Sequence, residues 1–261
     1  MNLQTPFTIE SLLTSKHEET DFVQQQERVR VRVDYRVILQ SNYISKRISD
    51  LAGKSYEVAF LYGANVKTKQ VVQELPYQET EITLDDLVLP IEQRITGSSF
   101  HVDEGAFHRA QQYLQDKGKR VHAMGHSHAA FDVFHSNTDY QNLERQVFFM
   151  GVPIKPMRKF RRALQQKHTR IKPVSKRSEK IHVLPSLVFN EKGSVLHSVL
   201  AIRYGSNKDT FHLKRHPIEL YNKKCVLTDI DRKALDKKVY QILRYNNIKI
   251  KKEYLCKSAQ V

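Results

Sequence analysis

Cysteine and long apolar runs are scarce in this sequence, and each shortage excludes a class of protein. The 261-residue chain has two cysteines, Cys225 and Cys256, too few for a disulfide scaffold or a cysteine-rich zinc site. Any metal must therefore be held by nitrogen and oxygen ligands. No apolar stretch approaches the roughly twenty residues of a membrane helix, and the polar N-terminus lacks the apolar core of a signal peptide. We expect a soluble, cytoplasmic protein without a membrane partner.

Acidic residues are also in short supply. The chain has 43 Lys and Arg against 28 Asp and Glu, a formal net charge of +15. Between Lys155 and Lys180 eleven basic residues face a single acid, Glu179. Such a segment attracts nucleic acid or an acidic protein partner, but a solvated basic loop that keeps the protein soluble is an equal alternative. The segment Arg158–Arg162 has little of the aromatic interleaving that stacks on bases.

Apolar periodicity predicts a mixed α/β domain behind a flexible lead-in at residues 1–27. Val29, Val31 and Val33 alternate with arginines, as in a half-buried strand, and a helix follows that Gly53 closes. Further predicted elements are an extended run at Tyr56–Tyr62, a helix from Asp103 to Gly118, a strand from Arg120 into His126, a helix from about Thr138 to Phe148, a hairpin turning at Asn190–Gly193, and a helix from about Thr228 to Arg244 capped by Thr228 or Asp229. Alternating strands and helices favour the α/β class.

One short stretch has the residue types of a metal site. His126 and His128 are separated by one residue at the end of a predicted strand, so both rings point to one side and can reach one ion. Asp139, eleven residues after the second histidine, can return as a third ligand. Two nitrogens and one carboxylate oxygen are typical of catalytic zinc with a fourth position open for water. We predict one Zn²⁺ per chain, which activates water to hydrolyse an amide bond.

Two other histidine-pair motifs fit less well. The metallo-β-lactamase pattern needs Asp and His just after the pair, where this chain has Ala130 and Phe131. A cupin needs a nearby Glu and a later His, for which Asp132 is a loose substitute, so a cupin remains a weak alternative. We interpret eight other histidines as ordinary packed or surface residues: His101, His108, His122, His135, His182, His197, His212 and His216.

The pattern H-x-H-x(7)-S-x-x-D, complete in His126, His128, Ser136 and Asp139, resembles the motif of the JAMM (MPN-plus) zinc isopeptidases. Glu57, in SYEVAFLYG, stands where that family carries a Glu on an early strand after the first long helix. The order of elements is also similar over residues 28–205. The resemblance implies an MPN-type (cytidine-deaminase-like) mixed β-sheet flanked by helices. Two segments have no counterpart in this resemblance: a basic insertion at about 151–180 and a C-terminal extension with one long helix at 206–261.

The resemblance further implies a role for each site residue. His126, His128 and Asp139 would hold zinc, and Glu57 would be the general base that takes a proton from the zinc-activated water and passes it to the leaving amine. Ser136 would donate a hydrogen bond to the oxyanion, and it can also cap the helix that follows. The implied reaction is hydrolysis of the amide bond between ubiquitin or a ubiquitin-like modifier and a target protein.

The chain departs from the family pattern at two positions beside the motif. The family usually has Pro after the second histidine and a large residue before the first, and this chain has Ala129 and Gly125. The spacer from Glu57 to His126 is also somewhat long. We expect a reshaped substrate groove with activity retained. Phe131 and Phe134 lie where the family's loop usually carries aromatic residues. A non-catalytic MPN-type interaction module, or a nucleic-acid-associated protein using the basic insertion, remain the alternatives.

Overall fold

The computed structural model describes residues 27–71, 77–128, 132, 134–154, 181–190, 196–204, 211–251 and 253–254. Within these ranges the elements are, in order, β1 (Glu27–Asp34), α1 (Tyr35–Ala52), β2 (Ala59–Val71), β3 (Tyr77–Val88), β4 (Gln93–Ile95), β5 (Phe100–Val102), α2 (Glu104–Gln115), β6 (Arg120–Ser127), α3 (Asn137–Met150), β7 (Val152–Ile154), β8 (Ile181–Phe189), β9 (Leu196–Tyr204), β10 (Phe211–Arg215), β11 (Ile218–Tyr221) and α4 (Asp229–Tyr245). The basic segment 155–180 and the lead-in up to residue 26 lie outside the described residues. Among the described helices, none has the length and apolar character needed to cross a membrane.

Nine of the described strands form one mixed sheet that curls strongly. Its path is β10-β9-β8-β6-β2-β3-β1-β11, and β7 pairs with β8 off this path. The pairs β1–β3, β1–β11 and β6–β8 are parallel, and the other pairs are antiparallel. β10 and β11 lie at opposite ends of the path, yet only His216 and Pro217 separate them, so the sheet must curl until its ends approach. The predicted mixed α/β class, with helices flanking the sheet, is confirmed.

The first helix forms where its sequence predicts. The Asp34 side chain caps α1 by accepting a hydrogen bond from the Arg36 N–H at 2.8 Å. Gly53 ends it with a φ of 75°, in the left-handed region that favours glycine, and donates its N–H to the Ser49 carbonyl. The side chains at the predicted helical spacing are buried in the main core: Val37, Ile44, Ile48 and Leu51.

Residues 211–245 share the sheet and core of residues 27–204. β10 and β11 are strands of the main sheet, and α4 buries its apolar face in the core cluster that α1 also lines: Leu235, Val239, Ile242 and Leu243. Tyr43 and Arg47 of α1 both donate hydrogen bonds to Asp236 of α4, at 2.8 and 3.0 Å. Thr228 caps α4, as predicted. The boundary predicted at residue 206, where a C-terminal extension with one long helix would begin, stays a prediction.

Two predicted elements differ in detail from the structure. β2 begins at Ala59, so Glu57 lies in an irregular segment just before the strand. The reason is that β3 ends at Val88 opposite Leu61, which leaves the preceding residues without a strand partner on that side. α2 begins after Asp103 as predicted, but the Asp103 side chain makes no capping bond and accepts instead from the Tyr245 hydroxyl.

Candidate metal centre

The end of β6 brings two imidazoles to one side of the sheet. The rings of His126 and His128 lie 5.0 Å apart between centroids, and both residues are buried. Ser127 between them is also buried and holds the neighbouring segment: its Oγ accepts from the Val58 N–H at 3.1 Å, and its N–H donates to the Val58 carbonyl at 3.0 Å. The alternation of a strand therefore points two ligands one way and uses the residue between them to anchor the segment that contains Glu57.

The carboxylate comes from the first turn of α3. Asp139 Oδ2 accepts hydrogen bonds from the Ser136 N–H at 2.7 Å and from the Ser136 hydroxyl at 2.8 Å, and the Asp139 N–H donates to Ser136 Oγ at 3.2 Å. This reciprocal cap confirms that Ser136 starts the helix. It also orients the carboxylate toward β6, where Oδ1 lies 3.3 Å from His126 Nε2 and Oδ2 lies 3.8 Å from His128 Nε2.

The three side chains fit a metal ion. His126 Nε2 is buried and makes no hydrogen bond to any described residue, although it lies 3.3 Å from Asp139 Oδ1. His128 Nδ1 lies 2.8 Å from the Asp132 carbonyl, which can only accept, so the ring carries its proton there and leaves a lone pair on Nε2. The ligand atoms of His126, His128 and Asp139 all lie within 4.8 Å of one another. A buried nitrogen without a hydrogen bond, aimed at a second nitrogen and a carboxylate, is what a metal site requires.

The electrostatics favour a charged carboxylate at this point. Burial alone would raise the pKa of Asp139, but the facing rings of His126 and His128 and the hydrogen bonds from Ser136 outweigh burial and hold that pKa well below its usual range. Burial likewise acts to lower the pKa of His128, but bonds to Asp139 and to the Asp132 carbonyl raise it overall. Asp139 is therefore ionised at physiological pH, the state in which a carboxylate binds metal.

Glu57 lies beside this group without belonging to it. Its side chain is largely buried, and its N–H donates to the Thr96 carbonyl at 2.8 Å. Burial raises the pKa of the Glu57 carboxyl, His128 acts to lower it, and the negative charge of Asp139 adds to the rise. The charges of His128 and Asp139 thus act on the Glu57 carboxyl, although Glu57 is not a member of the three-residue group. A nearby buried carboxyl with a raised pKa is suited to accept a proton.

Three residues near the site were not predicted from the sequence. His135 lies with Nε2 3.0 Å from Ser186 Oγ and Nδ1 2.9 Å from His197 Nδ1, which joins the residue before the Ser136 cap to β8 and β9. Its ring also packs edge-on to His126. Burial, and then the charge of His126, lower the pKa of His135 to about 3, so the ring is neutral. The interpretation of His135 and His197 as ordinary histidines missed this, because their partners are distant in sequence.

Aromatic rings flank both histidines of the group. Phe100 of β5 lies 5.1 Å from the His126 ring, and Phe134 lies edge-on at 4.9 Å from the His128 ring with half of its surface exposed. Ala129 and Phe131 lie outside the described residues. Gly125 does not open a groove: a Cβ there would lie 2.8 Å from both the Leu187 carbonyl oxygen and the ring of Tyr62. Tyr62 is buried and fills the space that a larger residue at this position would need.

The comparisons with known proteins give no family assignment. No family model matches the chain. A stretch of 79 residues is 34% identical to the cobyrinate a,c-diamide synthase of Caldanaerobacter subterraneus subsp. tengcongensis. The match covers 30% of this chain and 18% of the synthase, so the chain spans less than a fifth of that relative's length. A match of that extent does not carry the synthase's activity to this chain.

Proposed function

We propose that this protein is a zinc-dependent isopeptidase of the JAMM (MPN-plus) type, which hydrolyses the amide bond between ubiquitin or a ubiquitin-like modifier and a target protein. The observation that carries the proposal is the convergence of His126, His128 and Asp139 ligand atoms within 4.8 Å of one another. Three protein ligands with an open fourth position are typical of catalytic zinc. The curled mixed sheet, with two ligands at a strand end and the third in the next helix, supports an MPN-type fold.

The residues around the ligands would prepare them to hold the metal. Bound zinc supplies Lewis acidity, which polarises a substrate carbonyl and lowers the pKa of water. The Asp132 carbonyl keeps His128 in the tautomer with a free Nε2, and Ser136 holds the Asp139 carboxylate toward β6. Hydrogen bonds of this kind to ligand side chains are typically worth about 10–100-fold in metal affinity.

Glu57 would move the proton. In the proposed reaction its carboxylate accepts a proton from the attacking water and returns it to the leaving amine. The segment around it is held through Val58 to Ser127, between His126 and His128, so the proposed base lies beside the strand end that carries two of the three proposed ligands. A positioned base of this kind typically contributes about 10²–10⁴-fold to the rate.

Ser136 would both cap α3 and donate a hydrogen bond to the oxyanion. Its hydroxyl donates to Asp139 Oδ2, so it must rotate away from that carboxylate to donate to an oxyanion. Ser136→Ala should lower turnover about 10²–10³-fold if the oxyanion role holds. Thr228→Ala removes the equivalent cap of α4 and is the control for helix stability alone.

The substrate class rests on the motif resemblance, and the experiment must test it directly. Metal-loaded protein is incubated with isopeptide-linked conjugates of ubiquitin and of ubiquitin-like modifiers, with and without a chelator. We expect cleavage by the zinc-loaded protein, loss of cleavage with chelator, and recovery on adding zinc. The basic segment 155–180 is proposed to bind an acidic partner or nucleic acid, which salt-sensitive binding would reveal.

A pair of substitutions separates catalysis from folding. Glu57→Gln should abolish cleavage and retain zinc. Glu79→Gln is the matched control, since Glu79 is also a buried acid but forms ion pairs with Arg30 and Lys69 instead of facing the metal ligands. If zinc-loaded protein cleaves no conjugate of any modifier, the isopeptidase proposal is wrong and a non-catalytic interaction module becomes the better account.

A further inference from the structure

A small ribbon outside the main sheet touches the candidate site at two points. Among the described strands, β4 and β5 pair only with each other, in antiparallel register. At one point the Thr96 carbonyl, just after β4, accepts the Glu57 N–H at 2.8 Å. At the other point the Phe100 ring of β5 lies 5.1 Å from the His126 ring. The ribbon therefore contacts both the proposed base and a metal ligand.

The Gln93 side chain of the ribbon makes the backbone hydrogen bonds that a neighbouring strand would make with Ala59. Ala59, two residues after Glu57, has no partner in β3, because that strand ends opposite Leu61. The fully buried Gln93 side chain fills the gap: its Oε1 accepts from the Ala59 N–H at 2.8 Å, and its Nε2 donates to the Ala59 carbonyl at 3.2 Å. Its Nε2 also donates to the Pro90 carbonyl at 2.6 Å. One amide thus fixes the edge of the chain that leads out of Glu57.

Tyr245, the last residue of α4, and Asn246, which caps its end, hold the other edge of the ribbon. Asn246 Oδ1 accepts from the Ile95 N–H at 2.9 Å, and its Nδ2 donates to the Gln93 carbonyl at 2.8 Å, so this side chain binds β4 as a strand would. The Nδ2 also donates to the Ile242 carbonyl within α4. Tyr245 donates its hydroxyl to Asp103, which follows β5 directly. α4 itself is fixed by four buried side chains in the main core.

We propose that Asn246 and Gln93 are positioning residues for Glu57, and that the end of α4 is a structural part of the candidate site. The connection runs from Asn246 to the backbone of Gln93 and Ile95, and from there to Ala59 and Glu57 through the Gln93 amide and the Thr96 carbonyl. The hydrogen-bonded connection does not pass through the three proposed metal ligands: His128 and Asp139 keep their own bonds to the Asp132 carbonyl and to Ser136, and among the described contacts the ribbon meets His126 through the Phe100 ring alone. Loss of Asn246 should therefore loosen the Glu57 segment on its ribbon side more than it disturbs the proposed metal ligands. The inference rests on the proposed function only for the role of Glu57.

The test follows three backbone amides in full-length, zinc-loaded protein by NMR-detected hydrogen exchange. The amides of Ile95, Ala59 and Glu57 report on successive steps of the connection, and the His128 amide, bonded to the Phe189 carbonyl, is the internal control. In Asn246→Ala we expect Ile95 to exchange about tenfold faster and Ala59 and Glu57 several-fold faster, from the loss of one or two hydrogen bonds. The His128 amide should not change.

Activity and metal affinity complete the test. We expect Asn246→Ala to lower kcat about 10–100-fold through misplacement of Glu57, with KM and zinc affinity unchanged. Asn246→Asp, which keeps an oxygen for the Ile95 N–H, should recover part of that loss. Asn65→Ala is the matched control, because it removes one half-buried amide bond, to Asp85, away from the ribbon.

Each outcome decides the inference. Unchanged amide exchange rates at Glu57 and Ala59 in Asn246→Ala would overturn it. An increase of the same size in the exchange rate of the His128 amide would also overturn it, because it would show that the whole fold is less stable. If Asn246→Ala does not fold, Tyr245→Phe, which removes one hydroxyl, takes its place with the same expectations at smaller size. Wild-type protein that cleaves no conjugate contradicts the proposed function alone, since the exchange data still decide whether Asn246 positions the Glu57 backbone.

Discussion

Replacing Asp139 by asparagine tests the ligand assignment against an internal control. α3 and α4 begin with the same reciprocal cap: Asp231 accepts from the Thr228 N–H and hydroxyl at 3.0 and 2.8 Å, as Asp139 does from Ser136. Asparagine can still accept from the backbone N–H, so either substitution should cost at most about 1 kcal/mol of helix capping. Only Asp139 faces imidazoles, so only its substitution removes a metal ligand.

The expected rise in Tm follows from the linkage between zinc binding and folding. Zinc that binds the folded chain alone stabilises it by about 4.1 kcal/mol when free zinc is a thousandfold above Kd. At about 2–4 °C per kcal/mol for a domain of this size, the Tm of the wild type and of Asp231→Asn should rise by roughly 8–16 °C. If Asp139→Asn weakens Kd a hundredfold, the same zinc concentration supplies about 1.4 kcal/mol and a rise of only about 3–6 °C.

The assay is thermal unfolding of metal-free protein with and without zinc, for the wild type and both variants. Tm values without zinc measure the cost of the altered caps, and the zinc-induced rise measures metal binding. Equal zinc-induced rises for Asp139→Asn and Asp231→Asn would refute Asp139 as a ligand.

Three further predictions concern single residues. Glu57→Gln should retain the zinc-induced rise in Tm while losing cleavage, and loss of both would remove Glu57 from its proposed role. The metal-free protein should lose stability as the pH falls from about 6.5 toward 3. The reason is that the unfolded chain binds a proton on His135, whereas in the folded chain the pKa of His135 is about 3 and the ring stays neutral. Urea unfolding of His135→Gln should show a weaker dependence of the free energy of unfolding on pH. Gly125→Ala should cost about 1–3 kcal/mol by crowding Tyr62 and Leu187, and Gly97→Ala, whose Cβ would meet nothing closer than 3.8 Å, should cost little in the same unfolding assay.

Local signals in the sequence predicted the elements that carry the site. The stop of α1 depends on Gly53, which directly follows the helix, and the alternation at the end of β6 puts two histidines on one side. The spacing from His128 to Asp139 allowed a carboxylate to join the two histidines, and in the structure the Ser136 cap orients Asp139 toward His126.

Contacts between residues that are far apart in the sequence were not predicted. His135 meets Ser186 and His197, which are 51 and 62 residues away, and no local pattern encodes those pairings. The Glu57 segment lacks a strand partner because β3 ends early, and a single Gln93 amide replaces it, which periodicity does not indicate. The curling of the sheet depends on a two-residue link between β10 and β11, whose significance is visible only once the strand order is known.

The metal content of the purified protein shows whether His126, His128 and Asp139 form a metal centre. Elemental analysis of the wild type, of Asp139→Asn and of Asp231→Asn is made after dialysis against zinc-free buffer. We predict about one zinc per chain in the wild type and in Asp231→Asn, and far less in Asp139→Asn. If the wild-type protein retains no metal, even after zinc loading, these three residues do not form a metal centre.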